Sequence, residues 1–142
     1  FVNRLHQDFS TIDFVIAGIG AKKEWVAPNV LLLPANSDHH HPDLIDAADA
    51  VIGKAGYSTI AEIYHSQVRF GYFVREGYPE MQALADFLQH NTDGFSLSAQ
   101  NYMSGDWLSE LEDLLAVQPA CRQQTLNGSL QVAQLVSGLL ST

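Results

Sequence analysis

The sequence predicts an α/β fold, with a parallel β-sheet covered by helices on both faces in the doubly wound, Rossmann-like arrangement. Five short apolar runs have the length of strands, are mostly β-branched or aromatic, and end at turn residues. Between these runs lie segments whose apolar residues recur at helical spacing. Strands that are apolar throughout and alternate with helices are typical of a parallel sheet that is buried on both sides.

The five predicted strands are DFVIAG (13–18), NVLLLP (29–34), DAVIG (49–53), RFGYFV (69–74) and GFSLS (94–98). The predicted helices between them span 42–50, 58–67 and 79–91, and two further helices, 105–117 and 122–140, follow the last strand. We expect strands 49–53 and 69–74 to be adjacent and parallel, joined by a right-handed crossover through the helix between them. The two C-terminal helices are expected to pack across the finished sheet.

The start of the chain departs from this pattern, because a helix comes first. Val2, Leu5 and Phe9 share one helical face, and strand 13–18 follows with no strand before it. A doubly wound sheet begins with a strand that lies centrally in the sheet. We therefore expect that the first strand is missing from these residues and that strand 13–18 lacks a partner on one side. A further segment, a partner chain or a second copy would then complete the sheet.

Composition limits the class of protein. With 142 residues, the chain can bury one ordinary core, so we predict a single domain over residues 1–142. The net charge of −9 and the scattered lysines and arginines argue against nucleic acid as a partner. No apolar run reaches the ~18 residues of a membrane span. Cys121 is the only cysteine, which fits a reducing compartment and leads us to expect a cytoplasmic protein.

The segment GKAGYST (53–59) joins the third predicted strand to a helix. Ligands of open parallel sheets bind beyond the carboxyl ends of the strands, where a helix N-terminus offers N–H groups and the positive end of its dipole. Glycines would let the backbone turn tightly and approach a phosphate or diphosphate closely. The candidate ligand-binding residues are Gly53, Lys54, Gly56, Tyr57, Ser58 and Thr59. The same spacing is equally explained by a strand-to-helix turn whose glycines serve only the backbone geometry.

Glu62 has two competing explanations. In a capping box, Thr59 would cap the helix, and Glu62, three residues later, would accept a hydrogen bond from the Thr59 N–H. Taken alone, the TIAE motif favours this capping role. In the second explanation, Glu62 lies beside the phosphate site and its carboxylate accepts two hydrogen bonds from a ribose diol.

Three consecutive histidines, His39, His40 and His41, lie between Asp38 and Asp43 and raise the hypothesis of a metal site. Adjacent imidazoles cannot all face one ion without strain in the loop, and the HExxH and cysteine patterns of zinc sites do not occur in the sequence. A solvated loop explains the run better, so we expect no bound metal.

Two stretches, DLIDAADAVIGKAGYSTIAEI (43–63) and FVREGYPEMQALADFLQ (73–89), and the motif GFSL (94–97) are similar to the C-terminal, nucleotide-sugar-binding half of the GT-B glycosyltransferases. The closest resemblance is to glycosyltransferase family 28, which includes the N-acetylglucosaminyl transferase of peptidoglycan lipid-intermediate synthesis. The likeness covers residues 42–97 well, and elsewhere it rests on the alternation of elements. The motif GKAGYSTIAE also resembles a transferase-like segment that precedes the kinase domain of some sugar kinases.

The resemblance implies a role for each part of this region. In the family, the glycine turn and helix start hold the donor diphosphate, at positions that correspond here to Gly56, Tyr57, Ser58 and Thr59. The helical glutamate, here Glu62, binds the ribose hydroxyls. The start of the next helix contacts the donor sugar, which implicates Glu80 and Gln82, although PEMQ replaces the paired amides of the family. The loop after the second predicted strand grips the uracil, which implicates Asn36 and Ser37.

The implied protein is a UDP-sugar donor-binding domain, a fragment of a two-domain glycosyltransferase that transfers a hexosyl or N-acetylhexosaminyl group. An N-terminal domain outside these residues would bind the acceptor and supply the catalytic base, so we expect the isolated chain to be inactive. The helix N-terminus stabilises the leaving UDP in such enzymes, which then need no bound metal or other cofactor. Two alternatives remain: a non-catalytic nucleotide-sugar sensor fused to another enzyme such as a sugar kinase, and a scaffold whose glycine turn is only structural.

Overall fold

Strands and helices alternate along most of the chain in the computed structural model, which describes residues 1–75, 77–120 and 128–141. The strands are β1 (Phe14–Ala17), β2 (Glu24–Ala27), β3 (Val30–Leu33), β4 (Ala50–Lys54), β5 (Arg69–Phe73) and β6 (Gly94–Ser96). The helices are α1 (Val2–Asp8), α2 (His41–Asp46), α3 (Tyr57–Ser66), α4 (Glu80–Asn91), α5 (Ala99–Ser104), α6 (Leu111–Ala116) and α7 (Gly128–Leu140). A 3₁₀ turn, Asp106–Glu110, precedes α6 and replaces the first part of the predicted helix 105–117.

All five predicted strands are present, and β2 is an additional strand that the sequence pattern does not predict. β2 forms a tight antiparallel hairpin with β3, in which Glu24 lies opposite Leu32 and Trp25 opposite Leu31. Its side chains are mostly exposed, including a Trp25 that is 58% exposed. An exposed strand lacks the continuous apolar run or strict alternation by which buried strands are found in sequences.

The strands form two three-stranded sheets, in the orders β1-β3-β2 and β4-β5-β6. β1 is parallel to β3, and β5 is parallel to both β4 and β6. The predicted parallel pairing of the third and fourth strands is confirmed, with a register that runs from Ala50 opposite Arg69 to Lys54 opposite Phe73. The single, wholly parallel sheet that the sequence predicts is not observed, because β2 is antiparallel and no pairing joins the two sheets within the described residues.

β1 and β4 are edge strands, and each pairs on one side only within the described ranges. This agrees with the prediction that strand 13–18 lacks a partner on one side. The edge position also governs burial, because the apolar residues of β4 are only half-buried, whereas Phe70, Gly71 and Tyr72 of β5 are buried between two neighbouring strands. An apolar strand without its second neighbour is therefore left partly uncovered.

Two apolar clusters hold the elements together. The first packs α2, α3 and α4 against one face of the β4-β5-β6 sheet, and Ile63, Phe70 and Leu88 are its most buried members. The second packs α1, the 3₁₀ turn and α6 against both sheets, and it buries Leu5 and Leu108 almost completely. Helices therefore cover both faces of the β4-β5-β6 sheet, as in a doubly wound α/β fold.

The C-terminal helix α7 differs from the other described helices, since every one of its residues is exposed. Leu135, Leu139 and Leu140 are between 65% and 82% exposed, and an apolar depression on this helix is lined by residues of 128–141 alone. The prediction that this helix packs across the sheet is therefore wrong for the described residues, while positions 122–127 of the predicted helix lie outside them. No helix in the described ranges has the length and apolar character needed to cross a membrane.

Candidate functional site

The β4–α3 turn, residues 53–59, lies where the sequence predicts it, at the carboxyl end of β4. Helix α3 begins at Tyr57, and Gly56 is its N-cap with extended backbone angles of φ −120° and ψ 153°. Thr59 therefore lies at the third helical position and does not cap the helix. The capping-box explanation of Glu62 is wrong, because the motif is shifted by three residues from the true helix start.

Glycine is not required at these positions by backbone conformation or by crowding. A Cβ atom on Gly56 would meet, as its nearest heavy atom among the described residues, Cε of Lys54 at 3.6 Å. A Cβ on Gly53 would lie 4.0 Å from the ring of Phe70. Neither glycine has the positive φ that favours glycine, so the backbone geometry of the turn does not require glycine at either position. A Cβ at Gly56 would make only van der Waals contact, with the flexible end of the Lys54 side chain, and its absence lets a ligand approach the backbone closely.

The start of α3 can bind an anion. The first N–H groups of an α-helix have no partner within the helix, and no side chain among the described residues caps this one. The helix has ten residues, so its dipole places partial positive charge at Tyr57, Ser58 and Thr59. Lys54 is exposed beside the turn and adds a full positive charge. A phosphate at this point would meet backbone donors, the helix dipole and one ammonium group together.

Glu62 bonds to a residue from another helix. Its Oε2 lies 2.7 Å from Nδ1 of His41, the first residue of α2. The Glu62 side chain is 22% exposed. It lies on the same helical face as Ser58, which precedes it by one turn and is nearer the start of α3. The carboxylate therefore lies one helical turn beyond the uncapped amides. This is the placement that the ribose-binding explanation of Glu62 requires, with the ribose beside the diphosphate.

Each of the three consecutive histidines has a different partner. Lys23 Nζ lies 3.1 Å from Nε2 of His39, and His40 Nδ1 lies 3.2 Å from a carboxylate oxygen of Asp43. His41 bonds to Glu62. Within the described part of the chain, no group of three or more His, Cys, Asp or Glu is placed to hold a metal ion. The solvated-loop interpretation fits His39 and His40, but it misses the contact made by His41.

The remaining candidate residues lie on two other segments. Asn36 is exposed and Ser37 half-buried in the loop after β3, where the Ser37 N–H donates to the carbonyl of Pro34. Glu80 and Gln82 are exposed in the first turn of α4, which follows β5, the neighbour of β4. Because β4 and β5 are parallel, the start of α4 and the glycine turn both follow the carboxyl ends of these two strands.

Gln82 does not point to the glycine turn. Its amide Nε2 donates to Asp86, four residues later on the same helix, at 2.9 Å. No hydrogen bond or ion pair between described residues joins Glu80 or Gln82 to residues 53–62. Two exposed tyrosines are close to these elements in the chain, Tyr57 at the start of α3 and Tyr78 just before α4.

The fold and the turn together define a class: an α/β domain in which a parallel strand is followed by a helix whose N-terminus no described side chain caps. No family model matches the chain, and no solved structure matches it. Among curated proteins, it is similar to L-arabinokinase from Arabidopsis thaliana, with 29% identity over 115 residues. The aligned region covers 78% of this chain and 11% of that protein, so the chain spans a small part of the length of this relative.

Proposed function

We propose that the chain is a nucleotide-sugar-binding domain, in which the β4–α3 turn binds the diphosphate of a UDP-sugar. The observation that carries this proposal is the uncapped start of α3, where neither backbone angle nor crowding requires glycine at the N-cap Gly56. The donors would be the amides of Tyr57, Ser58 and Thr59, with the two hydroxyl groups and Lys54 as further contacts. Anions at helix N-termini gain from the dipole as well as from the individual hydrogen bonds.

Glu62 completes the site by accepting hydrogen bonds from the ribose hydroxyls. A carboxylate has two oxygens and about four lone-pair positions, so the bond from His41 leaves capacity for a diol. Bonds from hydroxyl groups to an ionised carboxylate are stronger than bonds between neutral groups. Asn36 and Ser37 are the candidates for contacting the base, and Glu80 the candidate for contacting the sugar.

The first candidate activity is that of the donor-binding domain of a glycosyltransferase. It is supported by the resemblance of residues 42–97 to the GT-B enzymes of glycosyltransferase family 28. In this reaction, the helix N-terminus and Lys54 would stabilise the negative charge that develops on the leaving UDP. The acceptor site and the general base would come from another domain of a larger protein. We also propose a cytoplasmic location, because the single cysteine fits a reducing compartment.

The second candidate is a non-catalytic nucleotide-sugar sensor linked to a sugar kinase. The similarity to L-arabinokinase favours it, because that relative is named as a kinase and the aligned region covers only 11% of its length. Both candidates require the same binding site. They differ in whether the sugar is transferred. Acceptor-dependent release of UDP by the full-length protein would support the transferase, and the absence of such release would support the sensor.

Calorimetric titration tests the binding proposal directly. We expect UDP to bind more tightly than uridine, because only UDP contacts the α3 amides. We expect Glu62→Gln to weaken UDP and uridine alike by about 1–2 kcal/mol, since charge-assisted ribose bonds become neutral ones. The folding stability of this variant should change little, because the glutamine can still accept the bond from His41.

A matched control is Glu112→Gln, which makes the same change at an exposed position on α6. It should leave both affinities unchanged. Failure of UDP to bind at millimolar concentration would contradict the proposed site. Equal affinity for UDP and uridine would show that the turn does not hold the diphosphate.

A further inference from the structure

We propose that His41 is a positioning residue, which holds the Glu62 carboxylate in the orientation that accepts the ribose hydroxyls; this inference rests on the proposed function. The contact is short, with Nδ1 of His41 2.7 Å from Oε2 of Glu62. An ionised carboxylate has no hydrogen to donate, so the hydrogen is on Nδ1 of the imidazole. The distance lies at the short end of the range for charge-assisted N–H···O bonds.

The bond joins two elements that are separate in sequence. His41 is the first residue of α2 and Glu62 lies in the second turn of α3, 21 residues later. Helical geometry cannot produce such a contact, because it pairs residues only three or four positions apart. The bond therefore depends on the packing of α2 against α3, in which Ile45 and Ile63 belong to the same buried cluster.

Glu62 needs such a partner in order to act as a ribose ligand. A free glutamate side chain populates several rotamers, and fixing it in one of them costs conformational entropy. A side chain that is only 22% exposed also loses much of its hydration, and a hydrogen bond from the protein compensates for that loss. His41 supplies both effects before a ligand arrives, and it binds only one carboxylate oxygen.

The neighbouring histidine provides a matched control. His40, the N-cap of α2, bonds to Asp43 of that helix at 3.2 Å, and its side chain is 70% exposed. Removing His40 therefore deletes an adjacent imidazole without changing the support of Glu62. The bonding atom also guides the choice of variants. The side-chain nitrogen of asparagine can occupy the place of Nδ1, whereas that of glutamine extends one bond further.

The experiment measures how strongly the protein distinguishes ribose from deoxyribose. UDP and 2′-deoxy-UDP are titrated into the wild-type protein and into His41→Ala, His41→Asn, His41→Gln and His40→Ala, and the ratio of the two dissociation constants is compared. We expect a wild-type preference for UDP of about tenfold or more, which corresponds to one charge-assisted bond. The preference should fall at least threefold in His41→Ala. It should return largely in His41→Asn, less in His41→Gln, and stay unchanged in His40→Ala.

Each other outcome overturns the inference in a recognisable way. An unchanged ratio in His41→Ala would show that Glu62 needs no support from His41. Tighter binding of UDP to His41→Ala would show that the imidazole blocks the carboxylate. Equal losses in His41→Ala and His41→Asn, with the fold intact by circular dichroism, would exclude the Nδ1 bond as the cause. Absence of UDP binding to the wild-type protein would instead overturn the proposed function, and this inference with it.

Discussion

The β5–β6 pair and the β4–α3 turn both contain glycine, but for different physical reasons. Gly94, where β6 begins, has φ of +136°, and a Cβ there would overlap the backbone of Phe70. Gly56 has ordinary extended angles, and a Cβ there would make only van der Waals contact with the flexible Lys54 side chain, at 3.6 Å. The fold requires glycine at the first position and does not require it at the second. This comparison distinguishes a glycine that the fold requires from one at which the missing Cβ can serve the approach of a ligand.

The surroundings of the two regions agree with this difference. Phe70, whose backbone contacts Gly94, is fully buried in the strand that has neighbours on both sides. The β4–α3 turn is the end of an edge strand, and both Lys54 and Tyr57 beside Gly56 are exposed. Backbone that is packed against other backbone, as at Gly94, leaves no room for a ligand. Backbone at the end of an edge strand, as at Gly56, is accessible to one.

The largest expected effect is on folding. Gly94→Ala forces an unfavourable φ and a clash with the Phe70 backbone, so we expect the free energy of unfolding to fall by about 3–5 kcal/mol. Gly18→Ala is the control, because Gly18 has φ of +87° but nothing within 4 Å of its Cβ position. It should cost about 1–2 kcal/mol, the effect of φ alone. Urea denaturation of both variants gives the comparison, and equal losses would contradict the role of crowding at Gly94.

A change at Gly56 should affect binding and not folding. In Gly56→Ser, the hydroxyl can cap α3 by accepting from its first amides, so the free energy of unfolding should stay the same or rise by a few tenths of a kcal/mol. The same hydroxyl and its Cβ occupy the space and the donors proposed for the diphosphate. We expect the preference for UDP over uridine to fall at least tenfold, as measured by calorimetry. A variant that is stable and still prefers UDP would show that the open turn is not the binding site.

The smallest expected effect concerns Tyr72, which lies opposite Gly53 in the β4–β5 register. Burial raises the pKa of the Tyr72 hydroxyl above its usual value near 10. Above about pH 10, the unfolded chain therefore loses this proton while the folded protein keeps it, so stability falls as pH rises. Tyr72→Phe should reduce this slope, as seen in urea midpoints between pH 9 and 11. An unchanged slope in Tyr72→Phe would contradict this account.

Sequence patterns predict those parts of the molecule that are set by local burial. The apolar runs that became β3, β4 and β5 were recognisable because each forms part of a core. β2 was missed because its stability comes from the hairpin with β3 and not from its own burial. The apolar residues of the last predicted helix led to the prediction that it packs against the sheet. In α7, which is the described part of that helix, none of these apolar residues is buried.

The candidate site was predictable to the same extent. The β4–α3 turn was identified because its glycines, hydroxyl residues and helix start are contiguous in sequence. The N-cap of α3 could not be predicted, because the glycine pair and the TIAE motif indicate two different starts for the helix. Only the backbone angles of Gly56 decide between them. The contact between His41 and Glu62 could not be predicted either, since it depends on how two helices pack and no spacing in the sequence encodes it.

One edge of β1 has no partner strand among the described residues, and this affects solubility. Natural edge strands usually carry lysine, proline or a bulge that discourages pairing with another molecule, but β1 reads Phe-Val-Ile-Ala, and Val15 is 51% exposed. The net charge of −9 opposes such association by mutual repulsion. Salt screens this repulsion, with a Debye length of about 10 Å at 0.1 M, and leaves the apolar edge unchanged. The purified chain should therefore be most soluble at low ionic strength and should self-associate as salt is added.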